Sequence, residues 1–180
     1  MVIWFIGKSG AGKSVIGKRL YDELNLINNN IVYLDGDVLR NAISWDLGHS
    51  IEDRYMSEKR RCQLCKLLSD QNISIICSAL SNAPDLREWN KKNIRNYYEI
   101  YLRVDQSVLY ERDSKGLYRR YENNEINNMV GEDIDFYEPE SPWLTIYNNG
   151  TETLNKIVKR ILNKITSEKL MKTAKYFNIK

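Results

Sequence analysis

With 180 residues, 42% of them apolar and 28% charged, the chain fits one soluble globular domain, residues 1–180, around one core. A formal net charge of +3 is too small to argue for nucleic-acid or membrane partners, and it leaves an anionic small-molecule substrate open. Three cysteines, an odd and small number, do not make a disulfide framework.

Met1 to Ile6 is apolar, but it is short, lacks a basic flank and runs straight into glycines. It therefore reads as a buried strand over residues 2–6 rather than a targeting peptide. No apolar run approaches the length of a membrane span, so the expected location is the cytoplasm. Glycines punctuate residues 7–12, and Lys13 to Leu24 follow with helical spacing, carrying Val15, Ile16, Leu20 and Leu24 on one side. Asn28 to Asn30 make a turn. Ile31 to Leu34 form a second strand that ends in Asp35-Gly36-Asp37, with a helix from Val38 to Ile43 behind it. Ser57 to Asp70 is expected as a longer helix. Its Cys62 and Cys65 have C-x-x-C spacing, but no second pair follows and His49 is the sole histidine. Buried thiols are expected there, not a metal site.

Ile73 to Cys77 is a third strand, Asp85 to Lys92 a helix, Tyr97 to Val104 a fourth strand and Gln106 to Arg112 a short helix. Residues 113–142 are polar and irregular, which suggests an active-site lid. Leu144 to Tyr147 is a last strand, and Thr153 to Ile165 a helix striped by Leu154, Ile157, Ile161 and Leu162. The basic tail, residues 166–180, reads as a solvated terminal helix. Strands alternating with helices imply an α/β fold of the P-loop NTPase type: a parallel sheet, helices on both faces, and a lid segment.

The strongest motif is Gly7-Lys8-Ser9-Gly10-Ala11-Gly12-Lys13-Ser14, a full match to G-x-x-x-x-G-K-[ST] between a strand and a helix. Its glycines let backbone N–H groups turn inward toward phosphate oxygens, and the helix N-terminus adds positive charge. Lys13 would reach the β- and γ-phosphates of ATP, and Ser14 would hold Mg²⁺. Asp35 and Asp37 end a strand beside this loop, where α/β sheets bind ligands. Two acids there can serve Mg²⁺ and accept the proton of an attacking hydroxyl. Arg40, Arg54, Arg60 and Arg61 follow, with Arg112, Lys115, Arg119 and Arg120 in the later polar segment. Phosphoryl transfer uses such cations, although charge alone assigns none of them. An Asn-Lys-x-Asp guanine-reading element is absent, which argues against a GTPase switch.

In order along the chain stand Trp4 to Ser14, Tyr33-Leu-Asp-Gly-Asp-Val-Leu-Arg40, Asp46-Leu-Gly-His-Ser50, Asp53-Arg54, Arg112-Asp-Ser-Lys-Gly-Leu-Tyr118 and Tyr137-Glu-Pro-Glu-Ser-Pro142. Over about residues 2–165 this resembles the adenylylsulfate (APS) kinase family, whose reaction puts the γ-phosphate of ATP on the ribose 3′-hydroxyl of APS. The resemblance implies that Gly7, Ser9, Gly10, Ala11, Gly12, Lys13 and Ser14 bind ATP phosphates, and that Arg112 lies near the ATP base. It implies that Asp37, Asp35 and Lys13 are the catalytic residues, that Ser14 and Asp35 hold Mg²⁺, and that of the two acids Asp37 is favoured as the base. Arg40 and Arg54 would grip the charged end of the acceptor, and Lys115 would close with the lid. It further implies a homodimer.

The departures lie on the acceptor side. His49 and Met129 stand where the family has two phenylalanines that resemble a clamp on the adenine of APS. Ser57-Glu58-Lys59-Arg60 replaces Asn-Ile-Arg-Arg, and Leu80-Ser81-Asn82-Ala83 replaces Ile-Ser-Pro-Phe/Tyr. Ser57, Ser81, His49 and Met129 thus join Asp37, Arg40, Arg54 and Lys115 as acceptor-side candidates. Two acceptors stay open. One is APS. The other is the cytidine nucleotide used by a cytidine diphosphoramidate kinase relative in capsular polysaccharide modification.

Overall fold

The alternation of strand and helix takes the expected form in the computed structural model, which describes residues 1–113 and 115–168. The elements are β1 (Val2–Ile6), α1 (Lys13–Asn25), β2 (Ile31–Asp35), α2 (Gly36–Ile43), α3 (Ile51–Asp70), β3 (Ser74–Ser78), α4 (Pro84–Asn93), β4 (Tyr97–Arg103), α5 (Gln106–Arg112), α6 (Leu117–Glu122), β5 (Leu144–Tyr147) and α7 (Leu154–Ser167). The strands lie parallel in the order β2-β3-β1-β4-β5.

The period-2 geometry of a strand explains why β1 is apolar throughout. Ile3 and Phe5 enter one core with Ile16, Leu20 and Leu24 of α1 and Ile157, Ile161 and Ile165 of α7. Val2, Trp4 and Ile6 enter a second core with Cys62 and Cys65 of α3 and Leu86 of α4. A strand buried on both faces cannot alternate with polar residues, so its sequence is a continuous apolar run. Gly17 brings α1 down onto the sheet: a Cβ there would stand 2.3 Å from Ser78 Oγ. That hydroxyl donates to the Lys13 carbonyl at 3.1 Å and ties the start of α1 to β3.

Two expectations need correction. The long helix begins at Ile51, not Ser57, with Ser50 as its N-cap accepting from the Asp53 N–H at 3.1 Å. The missed turn has no apolar stripe because Ile51, Tyr55 and Met56 are exposed rather than packed in a core. The lid segment is not wholly irregular either, since it contains α6. Asp113 receives the Tyr118 and Arg119 N–H groups at 3.0 and 3.1 Å, and Tyr118 is buried. The C-terminal end of the lid is fastened to the β3–α4 connection and to α4. Asn82 Nδ2 donates to the Asp135 carbonyl at 2.7 Å, and Arg87 Nη1 to the Tyr137 carbonyl at 2.7 Å. Of the basic tail, residues 166–168 finish and cap α7, and residues 169–180 lie outside the described residues.

Candidate active site

The loop between β1 and α1 turns through left-handed backbone at Gly10 (φ 76°) and Gly12 (φ 91°), conformations that glycine takes without strain. Lys13 folds back across it, its Nζ donating to the Gly7 and Lys8 carbonyls at 2.8 Å each. Burial pulls the Lys13 ammonium down to about 8, Lys115 adds to the effect, and Asp37 and Asp35 oppose it. The loop is braced from outside by residues that the motif does not contain. Tyr118 Oη donates to the Ser9 carbonyl at 3.0 Å, and Asn148 Nδ2 to the Ala11 carbonyl at 2.9 Å. The Asn148 carbonyl accepts from Arg112 Nη2 at 2.7 Å, so one residue joins Arg112 to the phosphate loop. Asn148 sits in an asparagine-rich stretch that reads only as a loop, and nothing in that pattern singles it out.

The two acids occupy different environments. Asp35 is the N-cap of α2. Its Oδ1 accepts from the Asp37 N–H at 3.0 Å, and its Oδ2 accepts from Ser14 Oγ at 2.6 Å. Tyr33 Oη lies 3.2 Å from the same Oδ2. Burial works against the Asp35 charge, but bonds from Ser14, the Asp37 N–H and Tyr33 hold its carboxyl below the ordinary value. Asp37 projects from the first turn of α2 with its side chain 71% exposed, and it pairs with Lys115 from the lid. One acid is thus committed to fixed donors, and the other stands in a solvent-exposed ion pair at the cavity.

Ser14 Oγ and Asp35 Oδ2 form a hard oxygen pair beside the phosphate loop. Among the described residues no group of three or more His, Cys, Asp or Glu side chains forms a metal cage. That donor set suits Mg²⁺, which is held by one or two protein oxygens and completes its shell with phosphate and water.

On the far side, Arg54 Nε donates to the His49 carbonyl at 3.1 Å and its Nη2 to the Asn128 carbonyl at 2.6 Å, which ties the start of α3 to the lid beside Met129. Asp133 fixes that turn by accepting from the Asn128 and Met129 N–H groups at 2.7 and 2.5 Å. Arg40 donates to the Gly48 carbonyl. Burial, then Arg40 and Arg54, hold His49 below the usual imidazole value and favour its neutral form. Met129 is buried, whereas His49 is exposed. Ser57 is buried. Ser81 is buried as well, and its Oγ accepts from the Trp4 indole at 2.6 Å. Arg60 stands apart, its Nη2 paired with Asp46 Oδ2 at 2.7 Å and its Nη1 donating to the Ile43 carbonyl at 2.8 Å. The three cysteines are free and buried, with burial pushing Cys62 up to about 12, so they behave as core thiols.

One cavity of about 1340 Å³ joins these parts, lined by Ser9, Lys13, Asp35, Asp37, Arg54 and Met129 among others. A pocket for one drug-sized ligand measures roughly 300–1,000 Å³, so the space suits two small molecules.

A family model described as adenylylsulphate kinase matches residues 1–147. The chain belongs to the adenylylsulphate kinase family. It is therefore a phosphotransferase, and ATP is its phosphate donor. Within the family it is 40% identical over 168 residues to a cytidine diphosphoramidate kinase of Campylobacter jejuni, covering 91% of this chain and 95% of that one. A probable adenylyl-sulfate kinase of Archaeoglobus fulgidus is 35% identical over 145 residues, covering 81% and 94%. The Mycobacterium tuberculosis APS kinase, solved with AMPPNP and APS, superimposes with a TM-score of 0.81 at 27% identity, over 90% of this chain and 95% of that one.

Proposed function

We propose that this family member transfers the γ-phosphate of ATP to the ribose 3′-hydroxyl of a small nucleotide, and that its acceptor is cytidine diphosphoramidate. The observation that carries the reaction is the shared cavity, in which the phosphate loop and the exposed Asp37 face a cationic acceptor side. Gly7 to Ser14 hold the phosphates of ATP, and Arg112 supports the ATP end through Asn148. Asp37 takes the proton of the 3′-hydroxyl as that oxygen attacks the γ-phosphorus. The new O–P bond forms as the bond to the β–γ bridging oxygen breaks, and ADP leaves with that electron pair. Lys13 leaves the loop carbonyls for the phosphates, and Lys115 is released from Asp37 as the lid settles. Ser14 and Asp35 would hold Mg²⁺, which when bound would supply positive charge beside the phosphates of ATP. Arg40 and Arg54 bind the charged end of the acceptor, with His49 and Met129 against its base and Ser57 and Ser81 in the wall behind.

The acceptor rests on two supports. The relative at 40% identity is a cytidine diphosphoramidate kinase, and residues that depart from the family pattern, His49, Ser57, Glu58 and Met129 among them, line the shared cavity. APS is the second reading, favoured by the adenylyl-sulfate kinases at 32–35% identity and by the intact catalytic elements. A cytoplasmic homodimer belongs to both readings, and a role in capsular polysaccharide modification belongs to the first. No helix among the described residues is long and apolar enough to cross a membrane.

The test is turnover. Pure protein with ATP and Mg²⁺ is given APS and cytidine diphosphoramidate separately, and new 3′-phosphorylated nucleotide is followed by mass. Preference for the cytidine compound is expected. Preference for APS transfers the assignment to the second reading, and turnover of neither defeats both.

A further inference from the structure

Arg54, Glu58 and Arg61 stand at i, i+4 and i+7 of α3, so one helix face carries all three to the cavity wall. Glu58 is 6% exposed and Arg61 8% exposed. Burial of that depth normally comes with full pairing. Arg61 makes no ion pair or hydrogen bond among the described residues, and its Nε is enclosed without an acceptor. Glu58 Oε2 accepts from the Asn82 N–H at 3.0 Å. Burial pushes the Glu58 carboxyl up, with Arg61 the leading opposing influence. Glu58 and Arg61 line the same cavity as Lys13, so the pair borders the reacting region. Glu58 stands where the family pattern has isoleucine, so packing alone does not call for a carboxylate there.

We infer that Glu58 and Arg61 are a specificity pair for an acceptor that presents an N–H donor beside an acceptor atom. The inference rests on the cytidine diphosphoramidate reading and names the residues of this chain that would enforce it. The carboxylate takes the N–H, and the guanidinium donates to the neighbouring oxygen or ring nitrogen. Two parts of that nucleotide offer the combination: the terminal P–NH₂ beside its phosphoryl oxygens, and the cytosine amine beside its ring nitrogen. The sulfate end of APS offers acceptor oxygens alone, which a buried carboxylate repels; its adenine, like cytosine, sets an amine beside a ring nitrogen, so discrimination against APS comes from the terminal phosphoramidate.

The experiment measures kcat/KM with ATP for wild type, Glu58→Gln and Arg61→Met on three acceptors: cytidine diphosphoramidate, CDP and uridine diphosphoramidate. Gln keeps an acceptor for the Asn82 N–H. Ratios taken within one variant cancel any loss of folded protein. Wild type is expected to prefer the first acceptor over at least one analogue by about 100-fold or more. Glu58→Gln should reduce that preference to within about 10-fold, and Arg61→Met should raise the acceptor KM at least about 10-fold. Collapse against CDP assigns the pair to the terminal phosphoramidate, and collapse against the uridine compound assigns it to the base. Ratios unchanged in Glu58→Gln, with wild-type turnover intact, overturn the inference and leave the proposed reaction standing. No wild-type turnover of any acceptor overturns both.

Discussion

Replacing Asp37 by asparagine separates the two acids. The side chain is 71% exposed, and among the described residues its ion-pair partner is Lys115, itself 51% exposed. A surface pair of that kind is worth about 0–1 kcal/mol, so the fold should scarcely notice its loss. A general base contributes about 10²–10⁴-fold, or roughly 3–5 kcal/mol of barrier. Asp37→Asn should therefore lower kcat by about 10²–10⁴ with little change in the KM for ATP, and shift Tm by no more than roughly 2–4 °C. Asp35→Asn is the contrasting variant. Asp35 caps α2 and receives Ser14 Oγ at 2.6 Å; asparagine caps a helix about as well as aspartate, so Asp35→Asn should cost little stability while raising the Mg²⁺ requirement. The assay is steady-state ADP release at saturating acceptor, with Tm read on the same samples. Asp37→Asn that keeps kcat within tenfold of wild type would refute its role as the base. So would a loss of activity matched by an equal loss of stability in both variants.

Three further outcomes follow from the site. Lys13 acts as a cation and its free-enzyme value is about 8, so kcat/KM for ATP should hold below that pH and fall as pH rises through it. A profile flat to pH 10 would contradict this. Asn148→Ala removes the donor to the Ala11 carbonyl, and its effect should appear as a rise in KM for ATP of about 3–10-fold, with acceptor KM unchanged, in two-substrate kinetics. An effect confined to the acceptor would relocate the role of Asn148. Restoring both rings with His49→Phe and Met129→Phe should move preference toward the adenine nucleotide by about 10-fold, at roughly 1–3 kcal/mol per stacked base, measured as the APS to cytidine diphosphoramidate ratio of kcat/KM. An unchanged ratio would remove those positions from base selection.

The sequence carried the phosphate loop because that motif is local: spacing, glycines and the strand–helix junction are all encoded within residues 2–24. It carried the strands because burial on both faces leaves uninterrupted apolar runs such as Val2 to Ile6. The start of α3 escaped it, since residues 51–56 face solvent or the cavity and show no core-facing period. α6 escaped it too, because a helix of six residues is too short to establish a periodicity and depends on the Asp113 cap and the burial of Tyr118.

The split between the acids was open in the sequence, where Asp35-Gly36-Asp37 reads symmetrically. Folding breaks the symmetry by pointing Asp35 at Ser14 and the α2 N–H groups while leaving Asp37 exposed to the lid. Asn148 and Tyr118 act across long sequence separations, as the bond from Tyr118 to Ser9, 109 positions apart, illustrates. Local chemistry thus determined what the chain can bind. Only tertiary packing, which sets which distant groups share a cavity and which charges lose their water, decided where those groups meet.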